Sequence, residues 1–232
     1  YKGLGVEGYI DIQKVKLCSW KEDPDWWKGR RVWIGLDLSQ TDDNTAVAMV
    51  TEEDGILYGK VIAFIPADKV EIKSQREHVD YKKMIKRGEC IACGDEVIDY
   101  SVVENYIMGM EDKFGVEIIQ ISYDRYNAIS TVQKLEAAGY ECVEIKQHSS
   151  VLHMPTKYLK EKILQKKFRY DGNRLLEINF QNARCTEDTN LNKYVNKKKS
   201  TGKVDMVVAL INAVYLLQQE LLYYDDFGAQ VA

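Results

Sequence analysis

Three aspartates in this sequence stand where the ends of strands and helices could bring their carboxylates together. Asp37 lies near the end of an apolar run at residues 32–38, Asp124 directly follows another at residues 116–123, and Asp205 opens a long apolar stretch near the C-terminus. Carboxylate oxygens suit hard cations such as Mg²⁺ and Mn²⁺, and two such ions can activate a water and stabilise the leaving oxygen of a phosphodiester. The three residues are therefore candidate catalytic metal ligands.

Each of these aspartates also has an ordinary structural interpretation. Asp37 could form a turn, Asp124 could cap the N-terminus of a helix, and Asp205 could interact with a helix dipole. Asp43, in the loop after the first strand, could be an auxiliary metal ligand or only a turn residue. The arrangement of the acids favours a metal site, because like charges packed closely repel one another and a bound cation offsets that repulsion.

Strands that would position these acids are predicted from hydrophobic runs and turn residues. Residues 32–38, 45–51 and 56–65 predict a three-stranded antiparallel meander, with a hairpin turn at residues 54–55. Two further buried strands are predicted at residues 116–123 and 141–145. If the first and fourth strands are parallel neighbours, Asp37 and Asp124 lie at adjacent strand ends.

Helices are predicted around these strands, and the length of 232 residues favours one domain. The predicted helices cover residues 69–87, 100–114, 127–138, 155–167 and 204–222, and residues 174–184 fit either an extended segment or a helix. We expect residues 1–31 to be a lead-in segment packed by its tryptophans, residues 32–224 to form the main domain, and residues 225–232 to be a C-terminal tail.

Positive charge is concentrated in one part of the chain. The formal net charge is −4, but residues 146–203 contain fourteen Lys and Arg against five Asp and Glu. This asymmetry indicates a basic face for a polyanion, although a solvated helix followed by a basic loop would give the same count.

Candidate residues for phosphate binding lie next to two of the acids. A lysine-rich loop before Asp205, which we expect to be flexible, could hold backbone phosphates without reading bases, and Arg125 beside Asp124 could contact a phosphate or form a salt bridge. No recognition helix is evident, so little sequence specificity is expected. The loop lysines are Lys197, Lys198, Lys199 and Lys203.

The cysteine pattern gives little support to a zinc site. Cys90 and Cys93 form a single CxxC, whereas zinc would require a second such pair or paired histidines. Reduced structural thiols are therefore the preferred interpretation and a zinc knuckle is the alternative. We expect no signal peptide, no membrane span and a cytoplasm-like compartment.

Three segments in order resemble the nuclease domain of the large terminase subunit of tailed bacteriophages, the DNA-packaging motor protein. They are residues 34–46 (IGLDLSQTDDNTA), 123–128 (YDRYNA) and 203–213 (KVDMVVALINA), within a resemblance that covers roughly residues 30–220. The resemblance implies an α/β, ribonuclease-H-like fold with a mixed sheet flanked by helices. It also implies a metal-dependent endonuclease that cuts double-stranded DNA.

The same resemblance assigns roles and partners. Asp37, Asp124 and Asp205 match the family's three metal-binding acids, and Asp43 matches an acid that joins the site in some members, so a two-ion Mg²⁺ or Mn²⁺ site is expected. In that family the nuclease cuts concatemeric viral genomes in the host cytoplasm, together with an N-terminal packaging ATPase, a small terminase subunit and a portal. Because no G-x-x-x-x-G-K-[ST] loop occurs here, we expect this chain to be a piece of a longer protein.

Other interpretations of the acids remain open from the sequence. An ATPase domain of the actin, chaperone and sugar-kinase class shares this fold, but would require a second domain and a Gly-rich adenosine site. A junction-resolving or transposase-like nuclease would prefer branched DNA or specific ends. A non-catalytic scaffold would retain the fold and fail to bind Mn²⁺.

Overall fold

A mixed β-sheet with helices on both faces forms the centre of the protein. The computed structural model describes residues 5–39 and 43–231, so that positions 1–4, 40–42 and 232 lie outside the described residues. In chain order the elements are β1 (Glu7–Gly8), α1 (Ile12–Lys16), β2 (Arg31–Asp37), β3 (Thr45–Glu53), β4 (Ile56–Pro66), a 3₁₀ turn (Ala67–Lys69), α2 (Val70–Glu77), α3 (Tyr81–Lys86), β5 (Cys90–Cys93), α4 (Tyr100–Phe114), β6 (Glu117–Tyr123), α5 (Arg125–Ala137), β7 (Cys142–Glu144), α6 (Ser149–Leu164), β8 (Phe168–Arg169), α7 (Arg174–Asn182), β9 (Arg184–Glu187), β10 (Lys193–Val195) and α8 (Asp205–Val231).

The main sheet confirms the predicted antiparallel meander and its parallel extension. Its strand order is β5-β4-β3-β2-β6-β7, and β8 pairs with β4. β2, β3 and β4 are antiparallel, and the hairpin turn between β3 and β4 has positive φ at both Asp54 (52°) and Gly55 (76°), as a type I′ turn requires. β6 is parallel to β2, and β7 is parallel to β6.

Side chains along the central strands point alternately to the two faces of the sheet, and this divides the core into two layers. On β3, Ala46 and Ala48 face the layer that contains α6, α7 and α8, whereas Val47 and Met49 face the layer that contains α4 and α5. Successive side chains of a strand point to opposite faces, so both faces of this sheet are covered. The buried strands therefore read as continuous apolar runs in the sequence.

A second, smaller sheet involves the N-terminal segment. Its strand order is β1-β9-β10, with Glu7 opposite Cys185. Within residues 5–31, Tyr9 and Trp27 are each only 1% exposed, and the Tyr9 hydroxyl donates to the Thr156 carbonyl oxygen at 2.7 Å. The start of this segment thus packs against α6 and the β9–β10 hairpin, whereas Trp27 lies in the core layer that contains α4 and α5.

The last helix, α8, lies against β2 and β3 and forms much of one core layer. It is longer than the prediction of residues 204–222, because residues 225–231, expected as a tail, continue the helix. Its segment Asp205–Asp225 is long and apolar enough by composition to cross a membrane, but 61% of the apolar window is buried inside the protein. Packing against the sheet therefore accounts for this apolarity.

Two further helix predictions were wrong at their boundaries. Residues 69–87 form two helices, because the chain turns at His78 (φ 56°) and the Asp80 carboxylate then accepts the Lys83 N–H at 3.1 Å to start α3. The predicted start at Pro155 lies inside α6, which begins at Ser149 after a cap by the His148 ring. Residues 174–184, left open as extended or helical, form α7 and the first residue of β9.

The CxxC segment forms β5, a strand that was not expected from the sequence. It pairs in parallel with β4, with Cys90 opposite Ala63. Cys90 and Cys93 are both buried and unbridged. Among the described residues no group of three His, Cys, Asp or Glu side chains is close enough to hold a metal ion. Cys90 and Cys93 are therefore free, buried thiols in this structure.

Candidate active site

Parallel pairing of β2 with β6 brings Asp37 and Asp124 to the same edge of the sheet. Gly35 pairs with Ser122, so the next residues on this face, two positions further along each strand, are Asp37 and Asp124. Asp37 is the last residue of β2, and Asp124 is the N-cap of α5, with its carboxylate accepting the Tyr126 N–H at 3.4 Å. The predicted adjacency of these two strand ends is confirmed.

Gly35 allows α8 to approach β2 closely enough to bring Asp205 to the same place. A Cβ atom at Gly35 would lie 1.9 Å from the Ala209 carbonyl oxygen and 2.5 Å from the Ala213 nitrogen. Two residues along β2 cover about 6.7 Å and four along α8 cover about 6 Å. Asp37 and Asp205 are therefore opposite each other, two strand residues and one helical turn from the point of closest approach.

Both of these carboxylates are buried, and they share one ammonium group. Asp37 is 8% and Asp205 2% exposed. The Nζ atom of Lys197 lies 2.6 Å from Oδ2 of Asp37 and 3.3 Å from Oδ1 of Asp205. Lys197, expected from the sequence to bind DNA phosphates, therefore bridges the two acids in this structure.

The electrostatics of the three groups follow from this burial. Burial raises the pKa of Asp37 to about 7; the positive charge of Lys197 opposes the shift, and the negative charge of Asp205 adds to it. Burial also raises the pKa of Asp205, and the positive charge of Lys197 again opposes the shift. Burial alone would lower the pKa of Lys197, but the two carboxylates outweigh it and raise that pKa. Two buried carboxyl groups thus share one positive charge, and burial favours the uncharged form of each carboxyl group.

Asp43 lies at the mouth of the site and pairs with a second lysine of the same loop. Its carboxylate accepts from the Nζ of Lys203, and its side chain is 51% exposed. Burial would raise the pKa of Asp43, but the hydrogen bond and charge of Lys203 lower it. The next residue, Asn44, is 2% exposed and donates to the Tyr81 hydroxyl at 3.0 Å, which holds this part of the loop against α3.

A groove of about 650 Å³ opens over these acids. Asp37, Asp43 and Asp124 line it, together with Lys197 and Lys198. Although the three predicted ligands Asp37, Asp124 and Asp205 are at one edge of the sheet, no three acids converge into a ready ligand set among the residues described. The structure places Asp37 against Asp205 and puts Asp124 across the same groove.

Two amide side chains in the groove were not singled out from the sequence. The Asn212 Nδ2 donates to the Leu36 carbonyl oxygen at 3.1 Å, and its Oδ1 accepts from Gln147 Nε2 at 3.3 Å. Asn212 is 1% exposed and lies seven residues after Asp205, on the same face of α8. The sequence offered one signal for Asn212: it is a polar residue seven positions after Asp205 in an otherwise apolar helix, a spacing that places both residues on the same helix face.

The other predicted phosphate contacts lie outside the acid pair. Lys198 and Lys199 are exposed and make no ion pair within residues 5–39 and 43–231, and Arg125 is exposed in the first turn of α5. The loop that carries the lysines is held in place, although we expected it to be flexible: Asn196 Oδ1 accepts the N–H groups of Lys198 and Lys199 at 3.0 and 3.3 Å.

The donor set fits a divalent cation. All the candidate ligands are carboxylate oxygens, which hard cations prefer. Oδ2 of Asp205 is buried and has no hydrogen-bond partner among the described residues. A buried carboxylate oxygen without a partner is costly, and a cation shared with Asp37 would satisfy it.

A model of the family described as "Terminase large subunit, endonuclease domain" matches residues 6–220. The chain belongs to this family. Its α/β architecture is therefore ribonuclease-H-like, as expected from the sequence, and the family match favours the nuclease interpretation over the ATPase and scaffold alternatives.

Curated relatives of this terminase nuclease domain are large terminase subunits. The terminase large subunit of Enterobacteria phage HK97 is 24% identical over 205 residues, which are 85% of this chain and 40% of the relative. That of Lactococcus phage SK1 is 26% identical over 217 residues, which are 89% of this chain and 38% of the relative. The chain thus spans about two fifths of the length of these relatives.

Solved structures with the same fold include two phage terminases. The crystal structure of the HK97 large terminase superposes with a TM-score of 0.83 at 23% identity, covering 91% of this chain and 44% of that one. The large terminase nuclease of thermophilic phage G20c, crystallised with bound magnesium, superposes with a TM-score of 0.56 at 12% identity, covering 90% of this chain and 96% of that one. These similarities show the fold.

Proposed function

We propose that this terminase nuclease domain is a divalent-metal-dependent endonuclease that cuts double-stranded DNA with little sequence specificity. The observation that carries the proposal is the pair of buried carboxylates, Asp37 and Asp205, at the same sheet edge as Asp124 and beneath an open groove. Burying charged groups without full compensation costs stability, so this cluster requires a functional explanation. Magnesium bound to the related G20c nuclease supports Mg²⁺ or Mn²⁺ as the cation.

In this proposal Asp37, Asp124 and Asp205 hold the cations, with Asp43 as an auxiliary ligand at the mouth of the site. When bound, a pair of such ions supplies activation of the attacking water and stabilisation of the leaving oxygen. The chain's own contribution is rigid placement: Asp37 at a strand end, Asp124 at a helix cap, and Asp205 on α8 beside Gly35. Such preorganised charge is most effective where water is excluded.

DNA binding in this proposal depends on contacts between protein side chains and the phosphates of the DNA backbone. Lys198 lines the groove, and Lys199 and Arg125 are exposed directly after the groove residues Lys198 and Asp124. None of the three cations carries a competing ion pair with described residues. Contacts between such cations and phosphates supply affinity that depends on salt and does not read the base sequence. We therefore infer that the site of cutting is chosen by other components of the packaging machinery.

The biological context of the proposal comes from the relatives. Because the chain spans about two fifths of the large terminase subunits it matches, we propose that it acts in a longer protein that includes an N-terminal packaging ATPase. Its substrate would be concatemeric viral DNA in the host cytoplasm, and its partners the small terminase subunit and the portal.

The test is cleavage of supercoiled plasmid in Mn²⁺, Mg²⁺ or EDTA by the wild type and by Asp124→Asn. The substitution keeps the shape of the side chain and removes its charge, so the protein should fold and lose at least about 100-fold in rate, since a lost metal ligand weakens the whole site. Asp112→Asn, an exposed residue of α4 outside the groove, is the matched control and should cut like the wild type.

The results separate the proposal from its rivals. Cutting that continues in EDTA, or Asp124→Asn cutting at the wild-type rate, contradicts a metal site at these acids. A strong preference for a four-way junction over linear duplex would instead support the junction-resolving alternative.

A further inference from the structure

The loop between β10 and α8, residues 196–204, delivers Lys197 to Asp37 and Asp205 and leaves Lys198 and Lys199 outside. Asn196 Oδ1 accepts the backbone N–H groups of Lys198 and Lys199, while the Ser200 hydroxyl donates to the Asn196 carbonyl oxygen at 2.7 Å and accepts the Arg184 N–H at 3.0 Å. These bonds fix the backbone on both sides of Lys197. The different orientation of neighbouring lysines is therefore built into the loop.

Lys197 occupies the place that a cation shared by Asp37 and Asp205 would take. Its Nζ lies within 3.3 Å of an oxygen of each. An ammonium carries one charge, so it compensates only part of the two buried carboxylates, and Oδ2 of Asp205 has no hydrogen-bond partner within the described residues. A divalent ion would compensate more of the charge, and it cannot occupy the same space as the ammonium.

Exposure shows which of the three groups can leave. The side chain of Lys197 is 39% exposed, whereas those of Asp37 and Asp205 are 11% and 2% exposed. A lysine has a flexible stem and keeps its charge hydrated when it turns outward, whereas the acids are held on β2 and α8. The groove outside is where the proposed function puts DNA phosphates, which attract the same ammonium.

We propose that Lys197 is a displaceable internal cation: it holds Asp37 and Asp205 together in the metal-free protein, and DNA phosphate draws it outward as a divalent metal takes its place. DNA and metal then bind with positive coupling, because each favours the state with Lys197 displaced. The inference rests on the proposed function and adds a regulatory role for one residue. It predicts that the site loads with metal mainly when DNA is present.

The experiment measures Mn²⁺ binding to the full chain by electron paramagnetic resonance of the free ion. Titrations are run without DNA and with a short phosphorothioate duplex that a gel shows to remain intact. Lys197→Met removes the ammonium and keeps much of the stem, while Lys86→Met, at an exposed position of α3 outside the groove, is the matched control. Melting temperatures in EDTA and in Mn²⁺ are recorded for each protein.

Without DNA, Lys197→Met should bind Mn²⁺ at least about fivefold more tightly than the wild type, and Lys86→Met should match the wild type. DNA should raise the Mn²⁺ affinity of the wild type and of Lys86→Met by a similar factor, and leave that of Lys197→Met nearly unchanged. In EDTA, Lys197→Met should melt at a lower temperature than the wild type, because its acids have lost their partner, and Mn²⁺ should remove that difference.

Two results overturn the inference while leaving the proposed function intact: Lys197→Met binding Mn²⁺ no more tightly than the wild type, or DNA raising its Mn²⁺ affinity as much as in the wild type. If Lys197→Met does not fold in EDTA, Lys197→Arg replaces it. This variant retains the charge, so it should bind Mn²⁺ no more tightly than the wild type, and tighter binding would contradict displacement. Absence of Mn²⁺ binding by the wild type, with or without DNA, contradicts the proposed function and this inference together.

Discussion

Replacing Gly35 with alanine would place a methyl group where β2 and α8 touch. The added Cβ atom would lie 1.9 Å from the Ala209 carbonyl oxygen and 2.5 Å from the Ala213 nitrogen, and both of these are backbone atoms that cannot rotate away. Ordinary contact begins at 3.4 Å, so α8 would have to move away by about 1.5 Å. This displacement is large for a closely packed interface.

The cost can be estimated from the contacts that such a movement disturbs. Overpacking a core costs typically about 1–3 kcal/mol, and here we expect the upper end, about 3 kcal/mol, since the obstacle is backbone. The hydrogen bond from Asn212 to the Leu36 carbonyl oxygen, 3.1 Å long, would also stretch. For a domain of this size, 3 kcal/mol corresponds to a fall in melting temperature of about 6–12 °C.

The assay is urea unfolding followed by circular dichroism, with Gly109→Ala as the control. Gly109 lies inside α4, and a Cβ atom there would meet nothing within 4 Å. Alanine at Gly109 should therefore raise the free energy of unfolding by about 0.5–1 kcal/mol, through helix propensity alone. Gly35→Ala should also weaken Mn²⁺ binding, since Asp205 moves with α8.

The reasoning about α8 would be refuted if Gly35→Ala unfolded within 1 kcal/mol of the wild type and bound Mn²⁺ with unchanged affinity. Such a result would mean that α8 does not lie against β2 as closely as described. Loss of stability by both glycine variants would instead point to a general sensitivity of the helices, and would also contradict the specific contact.

Three further predictions test the surroundings of the site. Tyr81→Phe removes a hydroxyl that donates to Glu77 at 2.7 Å and accepts from Asn44 at 3.0 Å. The substitution should therefore lower the free energy of unfolding by about 1–3 kcal/mol in urea titrations. The control Tyr224→Phe, at an exposed position, should change the free energy of unfolding by less than about 0.5 kcal/mol. Hydrogen bonds from the Asn192 backbone and the Ser149 hydroxyl hold the pKa of Asp188 at about 2. The contribution of Asp188 to stability is therefore present above its unfolded pKa of about 4 and is lost as the pH falls toward 2. The difference in unfolding free energy between the wild type and Asp188→Ala should narrow over that pH interval, and a constant difference would contradict the assignment. Changing Lys198 and Lys199 together to alanine should reduce the slope of log binding constant against log salt for duplex DNA by about 1.8, and an unchanged slope would exclude both as phosphate contacts.

Local sequence was sufficient to predict most strands of the main sheet and the acids at their ends. β2, β3, β4 and β6 are continuous apolar runs, because helices cover both faces of the sheet, and the turn at Asp54 and Gly55 specifies the hairpin. The position of Asp124 after a buried run and before a helix likewise follows from neighbouring residues. These features depend on short-range chemistry, which a single sequence contains.

Short elements were missed where distant partners determine the structure. β5 and β8 each pair with β4, and β1 pairs with β9, more than 170 residues away. The break at His78 needs a positive φ in a residue that is neither glycine nor asparagine, and the surrounding packing supports it. Two to four residues carry too little periodicity to be recognised without their neighbours in space.

The sequence by itself determined which residues could form the site: three aspartates in order, a basic loop before the last of them, and a long apolar helix after it. Only the tertiary structure decided how they combine. Gly35 lets α8 approach β2 until Asp205 stands opposite Asp37, and the hydrogen bonds of Asn196 turn Lys197 inward onto both, while Lys198 and Lys199 remain outside. The lysines have the same charge and adjacent positions in the chain, so their different roles arise from backbone geometry, which depends on contacts between residues far apart in the sequence.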